Sequence, residues 1–66
     1  MAGVIKTMID SIVEQRARGN STVALTTKTK LVLKGVNPER FNSNSADDAA
    51  IIAKLRAIAV EMGVRL

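Results

Sequence analysis

The chain has 66 residues, 47% of them hydrophobic and 24% charged, a balance that suits one small folded core and excludes a disordered chain. It contains no Cys, His, Trp or Tyr, and Phe41 is its only aromatic residue, which excludes disulfides, the usual structural zinc sites and catalysis by imidazole or thiol. The formal net charge is +4, and it is unevenly spread. Residues 15–38 hold five cations and no acid, residues 1–14 sum to −1, and residues 39–66 sum to zero.

A single domain over residues 1–66 is expected. Lys6 and Asp10 interrupt the apolar residues near the start before an export signal forms, and no apolar run approaches the ~18–20 residues that span a bilayer. The expected location is cytoplasmic, without membrane contact, so the triplet Asn20-Ser21-Thr22 reads as chance rather than as a glycosylation site.

In chain order, Ile5, Met8, Ile9, Ile12 and Val13 recur at helical spacing and predict a first helix over 3–18. Glu14 precedes Arg18 by four residues, Arg16 and Arg18 complement the negative helix end, and Gly19 suits the left-handed position that stops it. The segment Thr22 to Lys34 carries two patterns. Val23, Leu25, Thr27, Thr29, Leu31 and Leu33 alternate with more polar residues as a strand would. Against this, Leu31 to Pro38 has the form of a helix end, with Gly35 as the stop, Val36 able to touch Leu31, and Pro38 shortly after. A lone strand would also lack a partner within the chain. A second helix over 22–34 is therefore expected; the alternative is an α+β fold in which residues 22–33 form a strand or hairpin, paired across a dimer.

Residues 35–45 are rich in turn formers, Pro38 suits the first position of a short helical turn, and Phe41 is expected to plug the core from this loop. Ser45 followed by Asp48 resembles a capping box, with Asp47 and Asp48 against the positive end of a third helix over 46–62. Ile51, Ile52, Leu55, Ile58, Ala59 and Met62 form its apolar stripe, and Gly63-Val64 ends it. The fold class is thus all-α: three helices, a short turn between the first two and a longer loop before the third. The expected core is Ile5, Ile9, Ile12, Leu31, Phe41, Ile52, Leu55, Ile58 and Met62.

No catalytic, cofactor-binding or metal-binding residues emerge. The carboxylates sit at helix starts or on solvated faces, Glu14 and Glu61 among the latter. Asp10 and Glu14, one turn apart, make too few ligands for a hard cation. Lys28-Thr29 lacks the preceding glycine and the leading strand of a phosphate-binding loop. Two features remain. One is the basic block Arg16, Arg18, Lys28, Lys30 and Lys34, candidates for contact with phosphates or an acidic partner. On a helix, Thr22, Thr26, Thr27, Thr29, Lys30 and Lys34 share a broad face, joined to the first helix by Gly19-Asn20-Ser21 as in a helix-turn-helix. The other is Ala53, Ala57 and Val60, which lie off the core stripe of the third helix. Either two flanking helices of this chain or a helix of a second chain would cover them.

The function expected from these residues is a non-enzymatic binding module without cofactor, for a protein partner or for itself as a homodimer. The alternative is a nucleic-acid-binding domain using residues 16–34. Missing aromatic stacking groups and the absence of base-reading Asn or Gln on the threonine face weigh against that alternative.

Overall fold

A computed structural model describes residues 3–42 and 44–66. The described chain forms three helices, α1 (Val4–Ala17), α2 (Ser21–Leu33) and α3 (Ala49–Met62), with a short 3-10 turn at Pro38–Arg40. There is no strand among the described residues, so the α+β alternative fails.

The contested middle segment is helical from Ser21 to Leu33, with Lys34 as the residue that closes it, because both of its ends are capped. The Asn20 side chain accepts from the backbone N–H groups of Thr22 and Val23 at 3.0 and 3.2 Å, satisfying donors that the first turn leaves open. At the other end Gly35 N–H donates to Val32 O and Val36 N–H to Leu31 O, the paired bonds of a Schellman turn. Gly35 has φ +92, a left-handed conformation that a side chain would strain by about 1–2 kcal/mol. The turn folds Val36 underneath Leu31, and neither side chain retains solvent exposure. Gly63 repeats the device on α3, with Val64 N–H donating to Ala59 O at 2.8 Å and both side chains buried.

The α1–α2 turn comprises Arg18, Gly19 and Asn20, one residue earlier than expected, since Ser21 already belongs to α2. Arg18 itself takes a left-handed conformation, φ 48, and its N–H donates to Glu14 O. The start of α3 also differs from expectation. Asp48 is its cap, accepting from Ala50 and Ile51 N–H, and residues 46–48 lie outside the helix. Ser45 is occupied elsewhere: its hydroxyl accepts from Asn42 N–H and its carbonyl from Gly3 N–H. That second bond ties the loop before α3 to the start of α1.

The core comprises Ile5, Ile9, Ile12 and Val13 of α1, Leu31 of α2, Leu55, Ile58 and Ala59 of α3, and the two post-helix valines, Val36 and Val64. Phe41, Ile52 and Met62 were expected within it but are only partly buried, packing on its margin. The valines take the central space because the Schellman turns fold them inward, whereas Phe41 follows a 3-10 turn capped by Asn37 and stays at the periphery. No described helix is long and apolar enough to cross a membrane.

Candidate interaction surface

The five cations of the basic block do not form one face. Arg16 near the end of α1 and Lys30 and Lys34 near the end of α2 converge with Glu61 and Met62 of α3 and Leu33 of α2 around a groove of about 510 Å³. Arg18 lines a neighbouring depression with Gln15, Arg16, Met62, Gly63 and Val64. Lys28 lies in a third, among Asp10 and Glu14 of α1. The convergence is produced by packing: three separate helices bring their C-terminal portions together.

Two of the groove cations have partners inside the chain. Lys34 Nζ lies 2.6 Å from Glu61 Oε2, and Arg16 donates to the Met62 carbonyl at 3.3 Å, where a cation meets the negative end of α3. Glu61 is solvent-exposed, as expected, and is also the acid of this groove. Its pair with Lys34 is exposed on both sides, and such pairs contribute at most about 1 kcal/mol.

The threonine face is also rearranged. Thr27 is buried, with its hydroxyl donating to Val23 O at 2.8 Å, so it leaves the face on which sequence spacing placed it. Thr26 and Thr29 stay exposed, but their hydroxyls donate to Thr22 O and Leu25 O one turn back. Their single protons are thus committed to the helix backbone, and toward solvent they offer acceptor lone pairs and methyl groups.

What occupies the outward side of α2 instead is aliphatic. Leu25, Val32 and Leu33 are 67%, 47% and 80% exposed. Leu25, Thr29 and Leu33 follow at intervals of four, with Val32 seven residues after Leu25, so they share one stripe. Lys28 borders it on one edge and Lys30 on the other by helical rotation, and Leu33 continues it into the basic groove. These leucines went unassigned at the level of sequence because α2 has apolar residues on every side; that very spread, together with the lack of any acid, was the available signal.

On α3, Ala53, Ala57 and Val60 all face solvent, Val60 at 79% exposure. The central-helix explanation fails here, because α3 is covered on its core side only. A smaller apolar depression adjoins Val60, lined also by Val4, Met8, Arg56, Ala59, Val64 and Leu66. The chain exposes 4532 Å² in all, against roughly 4100 Å² for a typical folded monomer of its mass. Among the described residues no group of three or more potential metal ligands forms. Compared with family models, with curated proteins and with solved structures, the chain matches none.

Proposed function

We propose that this domain is a non-enzymatic interaction module whose partner is a protein surface. The observation that carries the reading is the aliphatic stripe Leu25, Val32 and Leu33, held in solvent on a helix whose opposite side supplies Leu31 to the core. A helix needs only one apolar side to fold against its neighbours. A second apolar stripe with large side chains costs solubility and is accounted for by a partner that covers it. The outward alanines of α3 extend the reading to self-association, with a second copy on Ala53, Ala57 and Val60.

The nucleic-acid alternative draws on Arg16, Lys30 and Lys34 around one groove. Weighing against it are the committed threonine hydroxyls, the acid Glu61 among the cations, and leucines where a phosphate-binding face carries donors.

Site-directed photo-cross-linking in the native cell tests the reading. A photoreactive residue at Leu25 or Leu33 is expected to give a discrete polypeptide adduct that is absent when the same group replaces exposed Glu39. Adducts to nucleic acid from Leu33, or no position-dependent adduct at all, would contradict it.

A further inference from the structure

We infer that the partner of α2 is an acidic amphipathic helix of another protein, seated on Leu25, Val32 and Leu33 with its carboxylates on Lys28, Lys30 and Lys34. This rests on the protein-partner reading above and names the chemistry of the partner.

Charge selects the occupant. From Gln15 to Pro38 the chain has no acid; the stripe is flanked by Lys30 and by Lys28, the latter beside Asp10 and Glu14 of α1, and the groove at its end carries Arg16, Lys30 and Lys34 against the single carboxylate of Glu61. A second copy of α2 would bring the same lysines against these, and like charges across an interface oppose docking. A neutral apolar helix would cover the leucines and leave the lysines without new partners. An acidic amphipathic helix satisfies both, inserting apolar side chains between those of the stripe and placing carboxylates along its edges, the helix-in-groove mode. From Leu25 to Leu33 the stripe runs about 12 Å, so roughly two turns of the partner suffice.

Glu61 gives the site an internal occupant. Its carboxylate already pairs with Lys34 at 2.6 Å, on the ammonium group that an incoming acid would approach. Docking exchanges this intramolecular pair for an intermolecular one, and the exposure of both groups keeps the exchange inexpensive.

The test uses the whole chain and two fluorescein-labelled synthetic helices. One carries leucines at i, i+3, i+4 and i+7 with glutamates along both edges; its twin has Gln for every Glu. Fluorescence anisotropy at low salt is expected to show the Glu peptide binding on the order of tenfold more tightly than the Gln twin. Lys30→Gln with Lys34→Gln is expected to remove most of that difference, and Leu33→Ser to weaken both peptides. Glu61→Gln is expected to tighten the Glu peptide severalfold, and more than Glu39→Gln, which changes net charge equally outside the groove. The comparison of the two peptides on the unaltered chain stands even if a variant folds poorly.

Equal binding of the twins would overturn the acidic partner while leaving the protein-partner reading intact. Binding of neither, with cross-links from Leu33 persisting in the cell, would do the same. A duplex oligonucleotide that displaces the Glu peptide and binds the Leu33→Ser variant undiminished would reassign the surface to phosphates and overturn both.

Discussion

Replacing Leu31 by Ala is expected to cost about 2–5 kcal/mol of folding free energy, while Leu33→Ala, two residues further along the same helix, is expected to cost no more than about 0.5 kcal/mol. The chemistry removed is identical, so the difference measures position alone. Leu31 has no solvent exposure and belongs to the same buried cluster as Ile12, Leu55 and the inward-folded Val36. Truncation there loses its transfer free energy and leaves a cavity that the closed Schellman turn resists filling. Leu33 is in solvent already, and alanine is a slightly better helix former. A chain of this length has only about 3–10 kcal/mol in total, so Leu31→Ala removes a large share of it. Urea unfolding followed by helical circular dichroism measures both. Comparable losses at the two positions would mean that Leu33 contributes to folding, which would end its assignment to a partner surface.

The second large effect concerns assembly. Sedimentation of the unaltered chain is expected to show a mean mass rising above the 7.1 kDa monomer as concentration increases, and Ala53→Glu with Ala57→Glu is expected to hold it at the monomer value. Ala53, Ala57 and Val60 follow at helical spacing and all face solvent, and small side chains allow two helix axes to approach to about 8 Å. Three small side chains make a modest contact, so any association is expected to be weak, with a dissociation constant on the order of 0.1–1 mM. Two glutamates on each copy introduce like-charge repulsion at its centre while leaving helicity intact, since glutamate is a good helix former and these sites are exposed. A chain that stays monomeric at the highest attainable concentration would remove self-association and leave α2 as the one proposed interaction surface.

Much of the fold is legible in the residues themselves. The Ile5-to-Val13 stripe, the Gly35-Val36 and Gly63-Val64 stops and the Pro38 turn all act over a few residues, and each appears where spacing and turn chemistry place it. The start of α3 was less legible because two side chains compete to cap it. Asp48 does so once Ser45 is drawn into bonds with Asn42 and Gly3, and the Gly3 contact is between residues remote in sequence.

The candidate surface was legible in part. Charge counting finds Arg16, Lys30 and Lys34, and no local rule separates them from Arg18 and Lys28, because the separation follows from how three helix ends pack. The rotation of α2 is a tertiary property in the same way. Its apolar residues surround the axis, and only contact with α1 and the valine turn decides that Leu31 and Thr27 turn inward while Leu25 and Leu33 turn outward.

The most direct measurement of the central claim is a map of backbone amide chemical shifts as the unlabelled Glu peptide is added to the isotopically labelled chain. Perturbations are expected to concentrate on Leu25 to Lys34 and on Glu61, with the amides of Ala53 and Ala57 little changed. Perturbations centred on Ala53 to Val60 instead, or an unchanged α2 at saturating peptide, would contradict the assignment of that helix face to an acidic partner.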